Sequence, residues 1–490
     1  MILANLLKKV KYELVNGDIS VEIRELCNDS RKAGRGDVFV CIKGAVSDGH
    51  KYINQVVANG AAAIIVSEDV TVSDALRNVT IVKTEDTRLA LAYMSAEFFK
   101  NPASELFTIG ITGTKGKTTT SFMVREILES CGIKTGLIGT IETIIGDKHI
   151  PSENTTPESY LIHKYFREMA DEGCRCVVME VSSQALMLHR TAGINFDIGV
   201  LTNLEPDHIG PNEHKSFEDY MACKGRLFRQ CKTGIVNVDN EHWKKVFDGH
   251  TCRVETYAVD TDADMKAVNI RYSHEGGHIS TSYDVVGDAA MHVELSLPGK
   301  FSIYNSLCAI AVTRHFNVDS NLLEKALATV KVAGRVEPVK VSDNFTVMID
   351  YAHNAMSLES LLSTLREYNP GRIVTVFGCG GNRAVSRRYE MGEISGKMSD
   401  LTVITSDNPR NEEPEAIMDD IETGIKKTSG NYVKIADRAE AVRYAIENGK
   451  PGDIIVIAGK GHEDYQEING VKHHMSDREL VEQAAEYLAE

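Results

Sequence analysis

The sequence predicts an α/β protein of three domains built on mostly parallel sheets, and three observations predict it. The chain has 490 residues, too many for one core at ~150 residues per domain. Short apolar, β-branched runs alternate with helix-like stretches, the pattern of parallel sheets crossed by helices. Several of those runs end directly in polar, glycine-bearing turns, where open parallel sheets bind their ligands.

Three segments follow in order: 1–102, 103–333 and 334–490. In the first, smaller α/β segment, Asp37–Ile42 reads as a strand, Tyr52–Asn59 as a helix stopped by Gly60, and Ala62–Val66 as a buried strand. The middle segment opens with strand Leu106–Ile111, a glycine-rich turn and a helix from about Lys117 to Ser130. Strand-like runs Val177–Met179 and Ile198–Leu201 come later. The third segment alternates strands Val347–Ile349, Ile373–Phe377, Leu401–Ile404 and Ile454–Ile457 with helices, which makes it Rossmann-like.

Composition narrows the function. Apolar residues at 42% and charged residues at 25% are an ordinary soluble balance. No apolar run approaches the ~20 residues of a membrane span. Lys8 and Lys9 follow the apolar start rather than precede it, the reverse of a secretory leader. Ten scattered cysteines without framework spacing read as reduced thiols, so the cytoplasm is the expected compartment; a monomer is the expected assembly. A net charge of −16 argues against a nucleic-acid partner but not against a small anionic substrate in a local basic pocket.

The sharpest motif is Thr112-Gly-Thr-Lys-Gly-Lys-Thr-Thr119 between strand and helix. Glycines let backbone N–H groups curl toward a phosphate, and the helix N-terminus adds positive potential. Gly113, Thr114, Lys115, Gly116, Lys117, Thr118 and Thr119 are therefore candidate ATP ligands, with Lys117 on the β- and γ-phosphates and Thr118 on Mg²⁺. The loop is contracted relative to the usual pattern, since Ile111 stands where the first glycine belongs. The bland alternative is a glycine-rich turn without a ligand, which the Lys-Thr pair in this setting disfavours.

This contracted loop, followed by Asn154-Thr-Thr-Pro157, Met179-Glu-Val-Ser-Ser183, Asn203-Leu-Glu-Pro-Asp-His208 and the stretch Tyr220-Met-Ala-Cys-Lys-Gly-Arg-Leu-Phe228, resembles the Mur ligase family over nearly the whole chain. The resemblance implies a central P-loop-type ATPase domain and ATP-dependent amide-bond formation on a UDP-N-acetylmuramoyl dipeptide, with meso-diaminopimelate as the added amino acid. It implies Thr118, Glu180, His208 and Lys224 as magnesium ligands, Lys224 after carbamylation by CO₂ to an anionic, carboxylate-like group. A bare ammonium would be repelled by the metal. It places Ser30 on the UDP moiety and Asn154, Thr155, Thr156, Ser182 and Arg190 on the sugar-peptide part. Asn305, Arg335 and Asp350 fall near the nucleotide, and Arg335 is a third candidate catalytic group beside Lys117 and Lys224.

For the amino acid, three loops follow three strands: Gly378-Cys-Gly-Gly-Asn-Arg383, Asp407-Asn-Pro-Arg410 and Ala458-Gly-Lys-Gly-His-Glu463. Arg383 and Arg410 can grip carboxylates bidentately, and Glu463 can accept an ammonium. Asp407, Asn408, Pro409 and Gly459 complete the set. Each residue alone would read as a cap, turn or solvated charge. The chain departs from the family pattern at two places. Leu188 stands for a frequent glutamine, and Asn354-Ala355 for the usual Thr-Pro. The rival readings are the same ligation with lysine or another diamino acid, a folylpolyglutamate-type ligase, a P-loop kinase or regulatory NTPase, and a non-catalytic precursor-binding paralogue.

Overall fold

The apolar, β-branched runs Ala63–Val66, Cys176–Glu180, Thr346–Asp350, Ile373–Phe377 and Ile454–Ala458 form strands buried along their whole length. In the computed structural model, residues 1–44, 47–210, 213–275 and 277–489 are described. They divide into two compact units, one of residues 1–264 with 308–318, the other of 265–307 with 319–490.

The first unit carries two sheets. In the smaller, strands Leu26–Cys27, Val38–Val40, Ala63–Val66 and Thr80–Thr84 run parallel, with Tyr12–Asn16 antiparallel at the edge. Expected strand Asp37–Ile42 is shorter than its apolar run. Expected helix Tyr52–Asn59 is a 3₁₀ turn, Gly49–Tyr52, leading into α-helix Ile53–Ala58. In the larger, strand Phe107–Thr112 lies between Cys176–Glu180 and Phe196–Leu201, all parallel. The strand is buried from Thr108 onward, so its C-terminal turn emerges from a closed core. Helix Lys117–Ser130 opens at that turn and buries Met123, Val124, Ile127 and Leu128, which recur at helical spacing.

In the second unit, strands Thr346–Asp350, Ile454–Ala458, Ile373–Phe377, Leu401–Ile404 and Tyr432–Lys434 lie side by side in that order and run parallel. Glu337–Val339 is antiparallel at the edge. The polar loops therefore leave one edge of a single sheet, at its strands' C-terminal ends. An antiparallel group, Met265–Glu275, His278–Gly287 and Met291–Leu295, belongs to this unit. No helix among the described residues is long and apolar enough to cross a membrane.

Candidate active site

The phosphate loop is held open by its neighbours as well as by its glycines. Gly113 has φ +151°, and a Cβ there would lie 1.9 Å from the Thr202 Oγ1. That hydroxyl donates to the Lys115 carbonyl at 2.7 Å, and the Asn203 side chain accepts from the Lys115 N–H at 2.8 Å. Lys115 pairs with Glu205 at 2.8 Å. Lys117 Nζ donates to the Gly113 and Thr114 carbonyls at 2.8 and 3.0 Å, which keeps its charge inside the loop. Thr119 is half-buried on the first helical turn.

Glu180, fully buried at the end of its strand, sits beneath this loop. It accepts from Thr118 Oγ1 at 3.1 Å, and from the Thr140 hydroxyl and amide, both at 2.9 Å. Two hard oxygen donors, the Thr118 hydroxyl and the Glu180 carboxylate, are thus in contact, a chemistry that fits magnesium. His208 has φ +53° and stands exposed, paired with Glu213 at 3.0 Å.

Lys224 is 1% exposed. Its amine donates to the Gly113 carbonyl at 2.8 Å and lies 4.5 Å from the centre of the Tyr220 ring. Burial, reinforced by the Lys117 charge, drives its pKa well below that of an ordinary lysine. Helix Phe217–Gly225, which carries it, ends at a glycine because a Cβ on Gly225 would meet the Val246 carbonyl at 2.6 Å.

The precursor candidates assemble on the same side. A cavity of about 180 Å³ is lined by Lys117, Asn154, Thr155, Thr156, Ser182, Arg190 and His208 together. The Thr156 hydroxyl bridges the Glu180 carbonyl at 2.8 Å and the Ser182 N–H at 3.0 Å. Arg190 donates to the Thr156 carbonyl at 2.8 Å and pairs with Glu158 at 2.8 Å. Ser30 lies apart, in a crevice of about 820 Å³ that Arg88 and Glu158 also line. Arg88 and Glu158 are 3.5 Å apart, so Glu158 stands between both hollows. His214 faces Ser183 at 2.9 Å on the cavity wall.

In the second unit, Asp350 is buried and organises the turn of Arg335, accepting from Val336 N–H and Ala352 N–H, each at 2.8 Å. Burial raises its pKa, and Arg335 opposes that rise. The Arg335 guanidinium lies 4.9 Å from the centre of the Tyr351 ring, and the Tyr351 hydroxyl donates to Glu463 at 3.4 Å. Asn305 is buried on helix Lys300–Thr313.

Asp407, Asn408, Gly459 and Glu463 meet at the sheet edge. Asn408 donates to Glu463 at 2.9 Å and accepts from the buried Lys460 at 3.3 Å. Gly459 N–H donates to the Asp350 carbonyl at 3.0 Å. Burial raises the Asp407 pKa against the pull of Arg438 and Lys460. Arg410, at φ +54°, donates to the Gly381 carbonyl at 2.7 Å and pairs with Glu467 at 3.2 Å. Pro409 precedes it, and Arg383 is exposed. Thr140, Arg88, Glu158, Tyr351, Lys460 and Arg438 were not singled out in the sequence. The Gly-Lys-Gly-His-Glu run was the one available signal, for Lys460.

Family models match along the chain: "Mur ligase family, catalytic domain" on residues 22–99, "Mur ligase middle domain" on 111–313, and "Mur ligase, glutamate ligase domain" on 334–461. The chain belongs to the Mur ligase family, whose members are ATP-dependent, amide-forming ligases with a mixed α/β, three-domain fold. It is 42% identical over 484 residues to the UDP-N-acetylmuramoyl-L-alanyl-D-glutamate–2,6-diaminopimelate ligase of Caldanaerobacter subterraneus subsp. tengcongensis, covering 99% of this chain and 98% of that one. It is 41% identical over 488 residues to the ligase of the same name from Clostridium perfringens, covering 98% and 99%. A solved structure of a ligase with that name superposes with a TM-score of 0.74 at 28% identity, over 100% of this chain and 99% of the other. Folylpolyglutamate synthase of Mycobacterium tuberculosis shares the fold over 76% of this chain and 92% of its own, with a TM-score of 0.58 at 18% identity.

Proposed function

We propose that this chain joins the D-glutamate γ-carboxyl of UDP-N-acetylmuramoyl-L-alanyl-D-glutamate to an amine of meso-diaminopimelate, with cleavage of ATP to ADP and phosphate, in peptidoglycan precursor synthesis. One observation carries the reading. The phosphate-loop Lys117 and the hydroxyl, amide and guanidinium groups of Asn154, Thr155, Thr156, Ser182 and Arg190 line one cavity. That puts a γ-phosphoryl group next to an acidic, hydroxylated acceptor, as proximity catalysis requires. The relatives' full-length identity supports the choice of both substrates.

The chemistry is carboxylate activation. The acceptor oxygen attacks the γ-phosphorus, ADP leaves, and an acyl phosphate forms. A neutral amine attacks its carbonyl carbon, a proton departs, and the tetrahedral centre expels phosphate. Lys117 offsets the charge on the transferring group, and Arg335 is the residue assigned to an ATP phosphate. Magnesium, when bound, supplies further neutralisation; Thr118, Glu180, His208 and the carbamylated Lys224 are the residues that would hold it. Arg383 and Arg410 hold carboxylates of the amino acid, and Asp407, Asn408, Gly459 and Glu463 shape its amine side. Ser30 takes the UDP end, and Asn305 and Asp350 the nucleotide side. On this reading residues 1–102 bind the precursor, 103–333 bind ATP, and 334–490 bind the amino acid, in a cytoplasmic monomer.

Lys224 is read as carbamylated. An uncharged lysine amine adds CO₂ and loses a proton, giving an anion that offsets Lys117 where a buried ammonium is unfavourable. ADP release by the purified chain tests the whole proposal. Release should require the UDP dipeptide and diaminopimelate together. Release independent of both, or equal turnover with lysine, would overturn it.

A further inference from the structure

Arg438 and Asp477 form an ion pair in which neither side chain is exposed. The pairing is bidentate, Nε to Oδ1 at 2.6 Å and Nη2 to Oδ2 at 2.8 Å. The same guanidinium donates from Nη1 to the Ser406 carbonyl at 3.3 Å and from Nη2 to the Ala458 carbonyl at 3.1 Å. Ser406 directly precedes Asp407, and Ala458 directly precedes Gly459. The strands leading to these loops, Leu401–Ile404 and Ile454–Ala458, are not neighbours, because Ile373–Phe377 lies between them. One planar cation therefore ties two loops that the sheet's own hydrogen bonds leave unconnected. Asp477 opens the last helix, Asp477–Ala489, so that helix anchors the cation.

Such a pair is a poor device for stability, since apolar residues of similar volume often serve as well. Its geometry points elsewhere. We infer that Arg438, held by Asp477, is a positioning residue that sets the Asp407–Arg410 loop against the Gly459–Glu463 loop and thereby sets affinity for the amino acid. The identity of that amino acid rests on the function proposed above.

Two variants of the full chain test this. Arg438→Lys keeps the charge opposite Asp477 but loses the planar fork that reaches both carbonyls. Arg438→Met with Asp477→Leu removes the pair without leaving a lone buried charge. Each is followed by thermal melting, by KM for ATP, UDP dipeptide and diaminopimelate, and by amide exchange of residues 405–411 and 458–464. In the folded variants, KM for diaminopimelate should rise at least ~10-fold, about 1.4 kcal/mol of binding, while the other two KM values stay within about twofold. Exchange should quicken in both segments and stay unchanged in strand Ile373–Phe377. An unchanged KM for diaminopimelate, a common rise of all three, or unaltered exchange would overturn the role. So would failure of both variants to fold, which assigns the pair to stability. If the wild-type chain ligates lysine instead, the amino-acid reading fails and the KM for lysine replaces that for diaminopimelate. If it ligates neither, the exchange comparison alone decides.

Discussion

Truncating Arg410 should cost diaminopimelate about two orders of magnitude in kcat/KM, and the structure sets that size. Lysine and diaminopimelate differ by one distal carboxylate. Had Arg410 stood alone in a closed site, lysine would leave a buried charge unpaired, a loss of several kcal/mol and ~10³-fold discrimination. Arg410 is instead already partnered. Its Nε meets Glu467 at 3.2 Å, its Nη1 meets the Gly381 carbonyl, and its side chain keeps 24% of its exposure. An incoming carboxylate therefore adds to a guanidinium that is partly neutralised and partly wet. A contribution of about 2–3 kcal/mol, within the range for hydrogen bonds to charged groups, converts to roughly 30- to 140-fold at 1.4 kcal/mol per factor of ten. The assay is steady-state ADP release by the wild type and Arg410→Ala with both amino acids. The variant should lose that factor for diaminopimelate, little for lysine, and keep its KM for ATP within about twofold. Glu467→Gln should lower the KM for diaminopimelate, because it removes the competing carboxylate. Equal losses for both amino acids in Arg410→Ala, or a wild-type preference for lysine, would show that Arg410 does not read the distal carboxylate.

Lys117→Ala should stay folded by circular dichroism yet lose ADP formation by at least ~10³-fold, because the loop's charge facing the transferring phosphoryl is gone. Lys224→Ala should be nearly inactive, and formate or acetate should restore part of the rate by supplying the missing anion. A crystal structure with magnesium bound and an unmodified Lys224 turned away from it would end that idea. His163 is buried, and burial pushes its pKa down from 6.5 to about 4. The unfolded chain takes up that proton first, so stability is full above pH 6.5 and falls as the pH drops toward 4. The loss reaches about 3 kcal/mol at 1.36 kcal/mol per pKa unit. His163→Leu should flatten the melting temperature against pH in that window, and an unchanged slope would count against the assignment.

Local elements and the order of the motifs can be read along the chain. Helix Lys117–Ser130 and strands Ile373–Phe377 and Leu401–Ile404 have the ends expected from the residues alone, because β-branched runs, helical spacing and glycine punctuation act within a few residues. The phosphate loop, the Glu180 strand end and the three polar loops were legible for the same reason. Pairings across the chain were not. Nothing near Glu180 announces that Thr140 donates to it twice, nothing near Lys224 announces its burial against Gly113, and nothing near Arg438 announces Asp477, 39 positions away. Glu412 and Glu413 are the carboxylates nearest Arg410 along the chain on its C-terminal side. Tertiary structure gave Glu412 to Arg388, and Arg410 to Glu467 on the hairpin that follows Glu463. Gly225, costly inside a helix by propensity, is explained only by the Val246 carbonyl against it. Spacing along a chain specifies which face of an element a residue occupies. Which distant charge meets that face depends on how the strands are ordered and the loops cross, and only the folded chain contains that.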